Sequence, residues 1–377
     1  MASSLKSAVA RSLADADIII GGSRAWDITV HDTRMYTALA TSGSLGAGES
    51  YMNGWWDCDA LDQMAERYLR SISTSKIAGG RFYGLLERIR AKYIDLQVGL
   101  GGREIARVHY DLPSDLFESM LGPTMNYSCG YWREANDLTT AQNAKMHLIC
   151  RKLGLRPGMR VLDVGCGWGG LIQFVVREYS CSVVGITVSA EQARYASKKC
   201  NASSSEVYLL DYRDLRPETH GTFDAITSVG MLEHVGPRNY ARYFDIMRRL
   251  LKPSGLLLVQ SFGRERSEPV DRWINRYIFP NSYVPNGTEL LTATRGRFIV
   301  EDWHNFGADY DRTLLAWHTN FENWAIDKWK VTAPKRYRMW RYYLLTFAAG
   351  FRVRDRVQLW QIVLSPEGVP KGYVSLR

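Results

Sequence analysis

The sequence predicts an α/β protein, a Rossmann-like parallel sheet with helices on both faces behind a small N-terminal helical domain. Three observations carry this. Beyond residue 150 short apolar runs alternate with helix-length amphipathic stretches, the first of those runs ends in a glycine-rich turn, and the chain changes character near residue 100. Apolar runs separated by helical segments are the pattern of a parallel sheet, because each crossover needs a helix to bring the chain back.

Residues 1–75 mix short apolar runs with Gly43-Ser-Leu-Gly-Ala-Gly-Glu-Ser-Tyr-Met-Asn-Gly-Trp-Trp56, which is too aromatic for a linker and reads as an ordered turn of a helical domain over residues 1–90. From Ala78 to Arg103 basic residues lie between Gly79-Gly80 and Gly99-Leu-Gly101-Gly102, and the junction is placed there. The linker is read as 91–103 and the second domain as 104–377. Strands are expected over Arg160–Val164, Ser182–Val188, Phe223–Val229 and Gly255–Gln260, and helices over Gly170–Tyr179, Ala190–Cys200 and Tyr240–Leu251. A further strand should end just before Leu210-Asp-Tyr-Arg-Asp214.

Composition bounds the function. A chain of 377 residues, 46% hydrophobic and 23% charged, can bury a sizeable core. Its first 20 residues hold only a short apolar run without a cleavage pattern, and nothing later approaches the ~20 apolar residues of a membrane span, so a cytoplasmic protein is expected. The six cysteines (Cys58, Cys129, Cys150, Cys166, Cys181 and Cys200) form no CxxC pair or Cys/His cluster, which argues for reduced thiols with neither a metal site nor disulfides. A net charge of +9 calls for an anionic partner, nucleic acid or anionic lipid. Basic residues interleave with large aromatics in Trp324–Lys330 and Lys335–Tyr343. That suits a membrane interface, or else a solvated helix face whose rings turn inward.

The strongest motif is Val161-Leu-Asp-Val-Gly-Cys-Gly-Trp-Gly-Gly170. A buried strand delivers the chain to a turn where side chains would block a ligand, and the glycines let backbone close in on a nucleoside. The second strand end offers Thr187 and Ser189 instead of the acidic residue that holds a dinucleotide's ribose, which weakens a nicotinamide reading. Ser189 and Gln192 have the spacing of a capping box. Asp211, Tyr212 and Arg213 frame an adenine or form an ordinary surface loop.

With these blocks the chain resembles the two-domain bacterial cyclopropane fatty acid synthase family, within the S-adenosylmethionine-dependent methyltransferases. The resemblance runs over nearly the whole length, through Gly43–Trp56, His109-Tyr-Asp-Leu112, Tyr127-Ser-Cys-Gly-Tyr-Trp132, Val161–Gly170, Val229-Gly-Met-Leu-Glu-His-Val-Gly236 and Glu301–Tyr310. It implies a seven-stranded methyltransferase sheet, S-adenosylmethionine as carbon donor, an unsaturated phospholipid as substrate and a bound bicarbonate as base. It also implies a homodimer, peripheral on the inner face of the cytoplasmic membrane. No dedicated RNA-binding module is found, so nucleic acid is not expected as a partner.

Carried over motif by motif, the resemblance gives Glu233 and Tyr310 to the bicarbonate, with Cys129 on the same wall through its backbone amide. The bland alternatives are a helix-start carboxylate and a core aromatic. Cofactor contacts fall on Tyr127, Ser128, Gly165, Gly167, Thr187, Gln192, Tyr212 and Arg213; the Tyr212-Arg213 pair replaces the Trp-Glu of some relatives. Two departures stand out. Gln260-Ser-Phe262-Gly263 replaces a His-Thr-Ile-Gly run, so Gln260 can hydrogen-bond but cannot become cationic. Phe347 stands where family members carry a cysteine, which leaves direct transfer from cofactor to lipid. Rival readings are methylation of the acyl chain without ring closure, a small-molecule or RNA methyltransferase, and a lipid-binding protein that has lost its chemistry.

Overall fold

The computed structural model describes residues 2–74, 114–200 and 203–377. Its larger sheet has seven strands in the order β5-β4-β3-β6-β7-β9-β8. In chain order these are β3 (Arg160–Val164), β4 (Ser182–Thr187), β5 (Ser205–Leu209), β6 (Phe223–Val229), β7 (Leu251–Gly263), β8 (Ile299–Asn305) and β9 (Gln358–Ser365). β3 pairs in parallel with β4 and β6, β4 with β5, and β6 with β7. The expected parallel sheet with intervening helices is therefore present, and β9 is inserted antiparallel between β7 and β8.

Burial on both faces explains why the central strands read as nearly unbroken apolar runs. Leu162, Val164, Ile226, Leu257 and Val259 join one core cluster. Val161, Ala225 and Leu258, their neighbours along the strands, join the cluster on the other face. From β3 the chain winds outward to β5, then returns to the far side of β3 as β6. Strand order thus reverses between β3 and β6, where α/β sheets open a crevice at the carboxyl ends of the strands.

The N-terminal region is helical, with Ala2–Ala14, Arg34–Ser42, Ser44–Met52 and Leu61–Thr74 around a two-stranded ribbon of β1 (Thr29–Val30) and β2 (Trp56–Asp57). It has its own core, including Leu13, Ile18, Met35, Tyr51, Trp56 and Leu61, closed by Leu345 from the helix Pro334–Arg352. The junction read at 78–103, with the boundary at 90 and the linker at 91–103, lies outside the described residues.

One expectation here is corrected: Gly43–Trp56 is mostly helix, not a turn. Only Gly43, at φ 56°, breaks the chain between two helices. Gly46 and Gly48 sit inside a helix because it packs too closely for side chains. A Cβ on Gly46 would lie 1.9 Å from the Ala38 carbonyl oxygen, and one on Gly48 would lie 2.3 Å from the Trp273 ring.

The basic aromatic segments are also resolved. They form the end of the helix Ala308–Lys328 and much of the helix Pro334–Arg352, and Trp329, Trp340 and Tyr343 are buried in the core cluster beneath. Among the described residues, no helix is long and apolar enough to cross a membrane.

Candidate active site

The crevice is built from the strand tips. After β3 the glycine loop turns with Gly165, Gly167 and Gly169 at φ 82°, 54° and 82°. The N–H groups of Gly165 and Cys166 both donate to the Ile186 carbonyl at 2.9 Å, pinning the loop to β4. The position of a Cβ on Gly167 has no atom within 4 Å, so the loop presents open backbone there. At the end of β4, Thr187 Oγ1 lies 2.8 Å from Gln192 Oε1 and accepts from the Ser189 N–H at 3.2 Å. The Gln192 N–H donates to Ser189 Oγ at 3.3 Å. Only half of the expected capping box forms, because the Gln192 side chain turns to Thr187.

After β5, Asp211 caps a 3-10 turn by accepting from the Arg213 N–H at 2.9 Å and binds the Arg213 guanidinium at 2.5 Å. Tyr212 is buried with its ring against Tyr243, 5.3 Å between centroids.

A second group of residues gathers past the reversal point. Glu233 stands in the 3-10 turn Leu232–His234 that follows β6 and is 4% exposed. Its Oε1 accepts from the Phe262 N–H of β7 at 2.6 Å, while Oε2 has no hydrogen-bond partner among the described residues. Burial pushes the carboxyl up to about 7, against the opposing pull of the Phe262 N–H, its own N–H and the Ser261 hydroxyl. Its neighbour His234 is pushed down to about 4 by burial. The ring of Phe262 lies 5.4 Å from Tyr310 and 5.7 Å from Phe351, with Phe347 at 6.3 Å. Phe262 thus links residues read from separate segments, holding Glu233 by its N–H and packing its ring on Tyr310.

Gln260 lies deeper, in the sheet, where its Oε1 accepts from Gln361 Nε2 of β9 at 2.9 Å. Its own amide nitrogen has no hydrogen-bond partner among the described residues.

The segment Tyr127–Trp132 joins the two groups. Tyr127 donates to the Tyr343 hydroxyl at 3.0 Å and packs on Trp317. The Ser128 hydroxyl accepts from Lys145 at 2.7 Å. Cys129 is fully buried, and burial pushes its thiol well above the usual range, which disfavours the thiolate. The residue that ties this segment down is Thr313, one turn beyond Tyr310, whose Oγ1 accepts from the Gly130 N–H at 3.0 Å and from Trp132 Nε1 at 2.8 Å. Asp309 adds a bond from the Trp132 N–H at 2.7 Å. Sequence reasoning missed Thr313 and Lys145. The signal for Lys145 was available: it falls on the stripe of Leu138, Ala141 and Ile149, a core position on the helix Leu138–Lys152.

The model of the mycolic acid cyclopropane synthetase family matches residues 102–362. The chain belongs to this cyclopropane synthase family. It is a methyltransferase enzyme of that family, as its motifs had implied. The cyclopropane-fatty-acyl-phospholipid synthase of Escherichia coli K12 is 45% identical over 375 residues, covering 96% of this chain and 93% of the relative. Among solved structures, the cyclopropane synthase MmaA2 from Mycobacterium tuberculosis aligns at a TM-score of 0.63 and 29% identity, over 69% of this chain and 97% of that one. The mycolic acid cyclopropane synthase CmaA1, complexed with SAH and CTAB, aligns at 0.63 and 30% identity over the same shares. This cyclopropane synthase family member has its glycine loop and its buried glutamate on opposite sides of the strand-order reversal.

Proposed function

We propose that the enzyme transfers a one-carbon unit from S-adenosylmethionine to the cis double bond of an unsaturated phospholipid acyl chain and closes it to a cyclopropane ring. The observation that carries this reading is Glu233, a buried carboxyl with one oxygen held by the Phe262 backbone and the other without a partner among the described residues. The name of the Escherichia coli relative and the SAH in CmaA1 support the substrate and the cofactor.

The residues present fit the cofactor. The bare backbone at Gly167 admits a nucleoside, and Thr187 and Gln192 offer uncharged polar groups at the next strand tip. S-adenosylmethionine supplies an electrophilic methyl group. The alkene is a weak nucleophile, and its attack leaves positive charge on the acyl chain until a proton is lost from the new methyl. Phe262, Tyr310, Phe347 and Phe351 exclude water that would capture the cation, and their π faces tolerate it. A carboxyl raised to about 7 keeps a proton to donate near neutral pH, so Glu233 fits a bicarbonate at Oε2. Holding the base this way keeps a bare carboxylate from competing for the methyl.

Membrane association is proposed at the turn joining the helices Ala308–Lys328 and Pro334–Arg352. Ile326 and Val331 are 52% and 84% exposed there, beside exposed Lys330, Lys335 and Arg336. Apolar side chains ringed by cations suit an anionic bilayer surface. The N-terminal helices carry a cluster of their own, which supports reading them as a distinct domain, packed on the helix Pro334–Arg352 through Leu345.

The test is expression in a host without cyclopropane lipids, with the acyl chains analysed by mass spectrometry and NMR. A gain of one CH2 with loss of the alkene signal is expected. A methyl-branched chain that keeps its double bond would instead establish transfer without ring closure, and unchanged lipids would defeat the proposal.

A further inference from the structure

Lys145 is 1% exposed, on the helix Leu138–Lys152. Its ammonium donates to Ser128 Oγ at 2.7 Å and to Asn126 Oδ1 at 3.2 Å, both neutral oxygens. No carboxylate pairs with it among the described residues. Burial pushes its affinity for the proton down, and Asp163 acts on it through charge without an ion pair. A buried ammonium without a counter-ion is costly, and such groups gather at functional sites.

The lysine's place in the fold says what the counter-ion is. Its partners Asn126 and Ser128 belong to a strap laid directly on the glycine loop. A Cβ on Gly170 would fall 2.0 Å from the Thr124 carbonyl oxygen and 2.8 Å from Asn126 Nδ2. Gln142, from the same helix as Lys145, fixes the strap by donating to the Ser128 carbonyl at 2.7 Å. Ser128 therefore stands near the tip of β3. The nucleoside positions Thr187, Gln192 and Tyr212 lie at the tips of β4 and β5, and Glu233 lies beyond β6. A ligand with its adenosine over β4 and β5 and its sulfonium toward Glu233 has its amino-acid arm over β3. That arm ends in a carboxylate.

We propose that Lys145 is a positioning residue for the amino-acid end of S-adenosylmethionine: its ammonium occupies a lone pair of Ser128 Oγ, and the serine hydroxyl turns its proton to the ligand's carboxylate. The inference rests on the cofactor reading above. Chained donors of this kind polarise one another, and the charge makes the outer bond stronger than a neutral serine alone provides.

The test is calorimetry on the full chain with two ligands, S-adenosylhomocysteine and 5′-methylthioadenosine, which keeps the nucleoside and thioether but lacks the amino-acid arm. Lys145→Met should weaken S-adenosylhomocysteine by roughly 10- to 100-fold, the range of a lost charge-assisted hydrogen bond, and leave 5′-methylthioadenosine little changed. Ser128→Ala, which removes one hydroxyl and leaves Lys145 its Asn126 contact, should show the same selectivity and decides the matter if Lys145→Met does not fold. Equal loss of both ligands in either soluble variant overturns the proposal, since Lys145 then only braces the strap. Unchanged binding in both variants overturns it too. Wild-type protein that fails to bind S-adenosylhomocysteine at all would instead sink the cofactor reading on which it stands.

Discussion

Replacing Glu233 by glutamine should make the protein more stable and far less active. The carboxyl is fully enclosed, and its folded-state pKa is raised from 4.5 to about 7. At about 1.4 kcal/mol per tenfold change in proton affinity, that difference is about 3 kcal/mol. A raised acid binds its proton more tightly folded than unfolded, so stability falls as pH rises from 4.5 to about 7, and the cost persists above that. Glutamine never ionises. Its amide oxygen can keep the bond from the Phe262 N–H, but its NH2 group takes the place of the unpartnered oxygen and returns about 1 kcal/mol of lost hydrogen bonding. The net gain at pH 8 is about 2 kcal/mol, roughly 3–5 °C in Tm, and it should vanish by pH 4.5. Turnover should fall by roughly 10²- to 10⁴-fold, the usual loss when a proton-transfer group is removed, with cofactor affinity nearly unchanged. Thermal melts of both proteins from pH 4 to 8, beside activity at one pH, make the measurement. Parallel stability curves with no gain at pH 8 would refute the claim that an ionisable group is held there at a cost, and full turnover would refute its role.

Other expectations follow from the same geometry. Gly167→Val should abolish S-adenosylmethionine binding by calorimetry, because the side chain fills the open approach and φ 54° disfavours a β-branched residue. Activity in carbonate-depleted buffer should recover on adding bicarbonate, and Gln260→His should lessen that dependence; indifference to bicarbonate would remove the proposed base. Val331→Asp should weaken co-sedimentation with anionic vesicles, and salt should do the same, whereas binding insensitive to both would move the membrane contact elsewhere. Asp302→Asn should destabilise the fold by about 3–5 kcal/mol in denaturant titrations, since it strands the buried ammonium of Lys152, now 3.1 Å from Asp302.

What the sequence disclosed follows what each segment has to bury. β3 and β6 were legible to the residue, since a strand covered on both faces is an apolar run cut off sharply by turn residues. Glycine was ambiguous: in Gly165–Gly169 it signals positive φ, in Gly46 and Gly48 close helix packing, and the letters are the same. β9 carries Gln361 in its middle, paired with Gln260 inside the sheet, and nothing local announces a buried amide pair or an antiparallel insertion. In the proposed site, Glu233 and Tyr310 were read by motif and Phe262 from a departure from one. Their joint geometry depends on where β7 and the helix Ala308–Lys328 come to rest, and Thr313, a threonine on a helix, reads as unremarkable until the segment it anchors is seen.

The buried charges sort by whether they are paired. Asp27 is met by Arg24 at 2.9 Å, and Lys152 and Asp302 bind one another, with Arg377 also on Asp302 at 2.7 Å. These pairs lie in the N-terminal region or where β8 meets the chain's end, and each satisfies itself. Lys145, Asp163 and Glu233 are as deeply buried, yet none has an ion-pair partner among the described residues. All three belong to the crevice, with Asp163 on β3, Lys145 against the strap over its tip and Glu233 beyond β6. Burial without pairing costs stability wherever it occurs, so its confinement to one crevice means that something other than folding retains it there. On the proposed reading, the carboxylate of S-adenosylmethionine answers the charge of Lys145, and a base beside Glu233 accepts the proton that the raised carboxyl keeps. The arrangement is thus destabilising in the empty protein and favourable in the loaded one, which is why neutralising Glu233 and breaking Lys152–Asp302 should move stability in opposite directions.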